Sequence, residues 1–579
     1  MTGTRRHRDH RRRRTAGLVG GVALAVVASG CQAGLPESVV KGSEVTVAWS
    51  SALTSANHAS LADATPGNRD VAAMTRGRFA ELVKGAVVPD EGFGSVQVTG
   101  DDPFTVRYDL AEPTWSDGIP VDSADLVLAW AAGSDGEGGF DAVPTGLAAS
   151  ERLASVEESD RAVEVEFSRP VQDWQTALDV AVPAHVLGQR ALDIEDPMEA
   201  KKAVVDAVRD EDESTLEKLA TEWNEGFRLS SDDIDEQLLV SSGPYRVTDI
   251  AEQDSGAVKV ELVANGEYTG SLNPSFERVE LVDMSDEEKV AALEAGDVDV
   301  AQVAPVVERR KQVRALERRD YGLATSHDGT MWVLALRADG PFERRAARAA
   351  FLRAVPRGDL AEAGGGAWAD AYTSSNTVLF EPDGEGYDIA QEDSRFERAF
   401  GRPAKDPGAE RARAGVPGGT NVCVLYERSS PFAQRAFKVL LRSVAEAGWS
   451  LSDCGTSELA DPMADGSDWQ AALVRVPVPR TAADLTRWWG GNGQTNLPGL
   501  ENTQRDELIA RWDGAADRYD ARDLRARIER TIVDDAIALP VAMNPVVTLR
   551  VPGLDGVTPR PGATGSLTSG IAGWSRTDR

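Results

Sequence analysis

Apolar and polar residues alternate along this chain in short runs set off by glycine- and proline-containing turns, and the runs predict strands interleaved with helices. In "EVTVAWSS" (44–51) the residues Val45, Val47 and Trp49 fall on one face of a first strand. Residues 77–90 predict a helix and residues 95–110 a hairpin. In "TWSDGIPVDSADLVLAW" (114–130), Ser116, Asp117 and Gly118 supply turn chemistry and Pro120 fixes the exit. Asp122 or Ser123 then caps a helix running through Leu126 to Trp130. In "MSDEEKVAALEAGDVDVAQV" (284–303), Ser285 and Glu288 make a capping box, Val290 and Leu293 face inward, Gly296 stops the helix, and a strand follows.

Near the C-terminus, Leu524, Ile528 and Ile532 form one face of a helix, and Pro540 introduces a strand. Residues 196–238 are highly charged with helical spacing, which predicts an inserted, solvated pair of helices; an arm that docks a partner is the alternative. The stretch from Asn421 to Gly455 reads as strand, amphipathic helix, strand. Such a unit sets two parallel strands side by side, so a bridge between Cys423 and Cys454 is geometrically possible, with two buried thiols as the alternative.

The N-terminus changes the picture of where the chain works. Seven arginines precede an apolar run from Ala16 to about Ala28, the layout of a targeting segment over residues 1–30, too short for a membrane span. Its exit, Ala28-Ser29-Gly30-Cys31, resembles a bacterial lipobox, which implies lipidation of Cys31; ordinary cleavage nearby with an unmodified Cys31 is the alternative. The arginine pairs leave the Sec and twin-arginine export routes both open. Residues 31–42 follow as a polar tether without periodicity.

The formal charge is −32, and the seven arginines and Asp9 of residues 1–30 contribute +6 of it, so the remainder carries −38. That field repels phosphate backbones and anionic headgroups, which argues against nucleic acid and leaves the lipid as the means of membrane attachment. Candidate chemistry is sparse. Beyond the targeting segment there are three histidines, His58, His185 and His327, with no metal-site spacing. Gly-Lys never occurs, so a Walker A loop is impossible, and no Gly-x-Ser-x-Gly elbow is present. The acidic, glycine-rich loops at 134–141 and 381–388 lack EF-hand spacing and read as solvated turns. No cofactor and no catalytic group is expected.

The segment "FTVRYDLAEPTWSDGIPVDSADLVLAW" resembles the extracellular solute-binding proteins of the peptide/nickel class, family 5, through Trp115, Asp117, Gly118, Pro120, Ala124 and Asp125. Further landmarks follow in the family's order: "VAVPAHVLGQ" (180–189), "VSSGPYRVTDI" (240–250), "NGEYTG" (265–270), and "GPFERRAARAAFLRAVPRGDL" (340–360) with Arg348, Ala350 and Arg357. The resemblance implies an α/β fold of the periplasmic-binding-protein type, with two lobes, an extra subdomain in lobe I, and a hinge crossed twice, near residues 320 and 540. The implied segments are 43–75, 238–320 and 540–579 for lobe I, 76–237 for the subdomain, and 321–539 for lobe II.

The same resemblance implies a monomeric receptor, not an enzyme, that captures a small organic molecule or oligopeptide outside the cell and passes it to an ABC permease. Trp332, Trp368, Trp488 and Trp489 stand where the family's second lobe faces the cleft, and flat aromatic faces suit ligand covering. Where peptide-binding relatives carry an aspartate for the peptide amine, this chain has Val476 beside Arg475, an exchange that favours a carboxylate or phosphate if Arg475 faces the cleft. "SNTVLFEPDGEGYD" (375–388) is similar to an actinobacterial branch that includes a mycobacterial lipoprotein tied to phosphatidylinositol-mannoside synthesis; that implies, as the alternative, a scaffold or regulator of envelope glycolipid assembly.

Overall fold

Ten strands form one mixed sheet, in the order Trp449–Asp453, Thr420–Tyr426, Ala471–Pro477, Gly322–Leu336, Ala538–Arg550, Val300–Val303, Val40–Trp49, Phe276–Asp283, Val258–Ala264 and Tyr245–Glu252. This computed structural model describes residues 34–83, 85–134, 138–155, 161–230, 234–252, 258–459, 463, 469–559 and 567–577. The targeting segment, Cys31, the head of the tether and part of the 134–141 loop lie outside the described residues.

Two lobes share this sheet, and two long strands in its middle serve both. The first half of Gly322–Leu336 pairs with Val546–Arg550, whose other edge carries Val300–Val303 and so the first lobe; its second half pairs with Ala471–Pro477 of the second lobe. The second lobe covers both faces of its part of the sheet with helices, as strands buried on both faces require, whereas the outer strands of the first lobe carry Lys259, Glu261, Arg278 and Glu280 on one partly exposed face. In the second lobe one face buries Phe342, Phe351, Phe432, Leu440 and Trp449, and the other buries Leu485, Trp489, Trp512, Ile528 and Ile532. Leu524, Ile528 and Ile532 do lie on the inner face of one helix, Arg518–Asp535. Pro540 falls inside the Ala538–Arg550 strand, where pairing shifts register, a position that tolerates its missing N–H.

The unit containing Cys423 and Cys454 is a strand–helix–strand with parallel strands, Thr420–Tyr426 and Trp449–Asp453 joined by Pro431–Glu446. The cysteines are joined by a disulfide, with their Cα atoms 5.7 Å apart.

A four-stranded antiparallel sheet, in the order Gly94–Asp101, Phe104–Leu110, Ala162–Phe167, Ser150–Ser155, builds a separate core with four helices. The Trp-Ser-Asp-Gly corner is its keystone. Trp115 is fully buried and its backbone N–H donates to Ile119 O at 2.8 Å, while Gly118 takes a φ of 87° that disfavours any side chain. Asp122 is the N-cap of the Ser123–Gly133 helix, and Asp125 closes the capping box. Asp125 then does more: its Oδ1 accepts the Ala184 N–H at 2.8 Å and its Oδ2 accepts Lys201 Nζ at 2.9 Å. One buried carboxylate thus joins the corner, the Pro-Ala-His element and the charged insertion.

Two expectations need correction. Residues 77–90 do not form a helix: Ala80–Val83 and Ala86–Pro89 pair as a hairpin, because Gly85 sits at a φ of 82° in the turn, where β-branched neighbours favour strand over helix. The insertion is a helical pair, Pro197–Arg209 and Glu213–Glu225, yet it is not simply solvated. Val204, Val205, Leu219 and Trp223 are buried in the subdomain core, and Lys201 is buried with them. Apart from Lys201, its charges lie mostly toward the outer faces.

Candidate functional site

Between the subdomain and the helical face of the second lobe lies a cavity of about 690 Å³, within the size range of small-molecule sites. Its subdomain wall comes from residues 144–149 and 168–176, and its far wall from residues 480–483 and 512–525. The walls touch at the rim: Arg169 Nη2 meets Asp513 Oδ2 at 2.7 Å, Arg169 Nη1 reaches Asp513 O at 3.3 Å, and Trp174 Nε1 donates to Ala516 O at 3.1 Å. These bonds join segments more than 300 residues apart and hold the two walls in a closed arrangement.

Trp512 and Phe380 line the inner wall and pack over the Arg525 guanidinium, whose carbon stands 5.4 Å from the Trp512 ring and 4.6 Å from the Phe380 ring. Arg525 Nη2 donates to the carbonyls of Leu379 and Pro479. Burial pulls its pKa down to about 10, with Glu381 and Glu529 opposing, so it is cationic at neutral pH. Burial also lowers Arg480, against Glu381 and Asp484, and raises Asp173, which accepts Gly146 N–H at 2.9 Å. Behind the wall, Glu529 is pushed up to about 7 by burial, although the Val378 and Leu379 amides and Arg525 work against the shift.

A second polar cluster sits where the two long strands change register, between His327 and Met331. Asp328 lies in that break. Its Oδ1 accepts the Thr330 N–H at 2.9 Å and the Thr330 hydroxyl at 2.6 Å; its Oδ2 accepts Asn544 Nδ2 at 2.7 Å and Arg475 Nη1 at 3.4 Å. Asn544 in turn accepts Trp332 Nε1 at 3.1 Å. Trp332 stacks on Phe432 at 4.4 Å, and Phe432 on Tyr372 at 4.8 Å.

Of the residues expected to touch ligand, Trp332 and Arg475 therefore meet at this register break, Arg475 with its side chain half exposed. The other three stand apart. Trp368 is buried in the first lobe's core, its Nε1 donating to Val306 O at 2.7 Å beneath Arg310. Trp489 is fully buried on the inner face of the Ala482–Trp489 helix, and Trp488 packs part-buried against the same core. None of the five lines the cavity. Spacing could have separated the last two, since Ala482, Leu485 and Trp489 share one helical face. Trp512, Arg480 and Arg525 were not singled out by sequence. Arg525 and Glu529 carried a signal, a charged i,i+4 pair riding beside the apolar stripe of Leu524, Ile528 and Ile532.

Among the described residues, no cluster of three or more His, Cys, Asp or Glu side chains could hold a metal ion, and no helix is long and apolar enough to cross a membrane.

A family model described as bacterial extracellular solute-binding proteins, family 5 middle, matches residues 95–448. The lipoprotein Rv2585c of Mycobacterium tuberculosis is 28% identical over 563 residues, covering 92% of this chain and 93% of its own. The lipoprotein ML0489 of Mycobacterium leprae is 26% identical over 518 residues, covering 85% of each. Among solved structures, the periplasmic EDTA-binding protein EppA superposes with a TM-score of 0.72 at 19% identity, covering 96% of this chain and all of its own. The oligopeptide-binding protein AppA from Bacillus subtilis, in complex with a nonapeptide, gives 0.58 at 13% identity over 92% of this chain and 99% of its own.

Proposed function

The chain belongs to the bacterial extracellular solute-binding proteins of family 5, and on that premise we propose that it is a lipid-anchored receptor that captures a small organic ligand outside the cell and delivers it to an ABC permease. It is a solute-binding protein and not an enzyme. The observation that carries the reading is the 690 Å³ cavity between two lobes that share a pair of long crossing strands. Ligand held there would contact both walls at once, so it would bind the closed form more tightly than the open one and shift the population toward it.

The register break around Asp328 and Asn544 is the proposed hinge. Ladder bonding is interrupted there, so the backbone can change φ and ψ without dismantling either lobe. The Asp328–Asn544–Arg475 network would keep the two crossing strands in step as they bend. Lobe I is assigned to residues 43–75, 238–320 and 540–579, the subdomain to 76–237 and lobe II to 321–539. Anchoring through Cys31 is supported by the mycobacterial relatives' designation as lipoproteins.

The test is native mass spectrometry of the mature protein purified from its own host under mild conditions. A small organic molecule retained at one equivalent, and lost when Ala148 and Ala483 on opposite walls are replaced by tryptophan, is the expected result. A protein that carries nothing, and whose scattering profile no native extract alters, would refute receptor function.

A further inference from the structure

The cavity is set in a chain of net charge −32, yet its lining reverses that sign: Arg169, Arg480, Arg518, Arg522 and Arg525 face Asp173, Glu385 and Asp513. Several of these charges are already matched. Arg169 pairs with Asp513, Arg522 with Asp523 at 2.8 Å, and Arg518 donates to the Tyr519 hydroxyl at 2.6 Å. Arg525 is different. Among the described residues its hydrogen bonds come from Nη2 and end on neutral carbonyls, and its Nε is buried without a hydrogen-bond partner. The rings of Phe380 and Trp512 pack over the guanidinium and restrict its hydration.

The nearest acids do not complete it. Glu529 gives both carboxylate oxygens to the Val378 and Leu379 amides at 2.9–3.1 Å, and Glu381 acts on Arg525 through space without an ion pair. A half-buried cation whose fork is not filled by a carboxylate costs free energy that an incoming anion would recover. Arg480 stands on the same wall, with Glu381 and Asp484 nearby, and adds positive potential from a second direction.

We propose that the cavity selects an anionic organic ligand, whose carboxylate or phosphate is received by Arg525 with Arg480 beside it, between Phe380 and Trp512. This rests on the receptor reading above and narrows its ligand. The hairpin Ala80–Val83/Ala86–Pro89 brings Leu82 and Val87, both exposed, to the same cavity, so the remainder of the ligand meets an apolar rim. A free organic anion and the headgroup of an anionic lipid present the same chemistry to Arg525.

The experiment is a thermal-shift and calorimetric titration of the mature protein with citrate, glycerol phosphate, a peptide blocked at both ends, spermidine, and vesicles of phosphatidylinositol in phosphatidylcholine. Binding of an anionic probe and of neither the neutral peptide nor spermidine is expected, with affinity falling as salt rises. Arg525→Gln should weaken that binding about 10- to 100-fold, the worth of a hydrogen bond to a charged group, and Arg525→Lys should recover part of it. Soluble anions binding would point to a free metabolite; vesicles alone binding would point to a lipid headgroup.

The proposal is overturned if the blocked peptide binds and no anion does, which would leave receptor function intact. It is also overturned if a folded Arg525→Gln protein binds anions as the parent does. If Arg525→Gln fails to fold, Arg480→Gln and the salt dependence decide, and binding indifferent to both rejects the assignment. Absence of any ligand-driven compaction with native extracts would instead reject the receptor reading itself.

Discussion

The rim contacts set how firmly the lobes close without ligand. Arg169 and Asp513 pair at 2.7 Å, but their side chains are 47% and 46% exposed, so the pair contributes only about 0–1 kcal/mol. The Trp174 indole to Ala516 carbonyl bond at 3.1 Å adds about 1 kcal/mol net. Together they favour closure by about 2 kcal/mol at most, roughly 30-fold in the closed-to-open ratio. Arg169→Ala with Trp174→Phe should therefore shift the ligand-free ensemble toward open forms by a factor of about 5–30, with melting little changed. Single-molecule energy transfer between dyes at Glu213 and Lys438, both exposed, would read the two populations. An identical distribution in the double variant would refute the reasoning, because it would mean that the rim does not hold the lobes. A rise in opening beyond about 100-fold would refute the magnitude.

Other consequences follow from buried charge and covalent geometry. Lys201→Met should destabilise the subdomain by about 3–5 kcal/mol in chemical denaturation, since it leaves Asp125 buried and uncompensated. Burial opposes the Lys201 charge, but Asp125 and Asp122 outweigh it and raise its pKa, so this contribution is complete below the unfolded lysine value and is lost as pH rises through the folded one. Glu529 runs the other way: its folded pKa of about 7 exceeds the ordinary 4.5, so the fold binds more protons there, and stability should fall by up to about 3 kcal/mol as pH rises from 4.5 to 7. Glu529→Gln should flatten that slope in thermal melts at several pH values. Cys423→Ala with Cys454→Ala should cost about 3–4 kcal/mol, from a loop spanning 31 positions, and the parent should show no alkylatable thiol at either site before reduction.

What was legible in the sequence was local and periodic. The capping box of Ser285 and Glu288, the Gly296 stop at a φ of 85°, and the face of Leu524, Ile528 and Ile532 each depend on residues within one element. The strand–helix–strand around Cys423 and Cys454 was readable for the same reason. Residues 77–90 misled because "FAELV" is a good helix former, while the decision rested on the positive φ of Gly85 and on pairing with Val87 and Val88. The insertion misled because its charges outnumber the few apolar positions, Val204, Val205, Leu219 and Trp223, that settle its docking. The cavity wall was hidden for a different reason. Arg169 and Arg525 become neighbours of one space only when the subdomain closes on the second lobe, and no period within either element encodes that approach. Of the tryptophans, Trp512 lines the cavity and Trp489 does not, although both lie on the buried faces of their helices, so the difference is set by where each helix packs.

The central claim is that two lobes bend about the crossing strands to enclose a ligand. Small-angle scattering of the mature protein, stripped of bound molecules and then titrated with the compound recovered from its native host, tests it most directly. The account predicts a smaller radius of gyration on saturation, and a loss of that change when Asp328→Ala and Asn544→Ala uncouple the crossing strands. Scattering curves that superpose with and without a stoichiometrically bound ligand would contradict it.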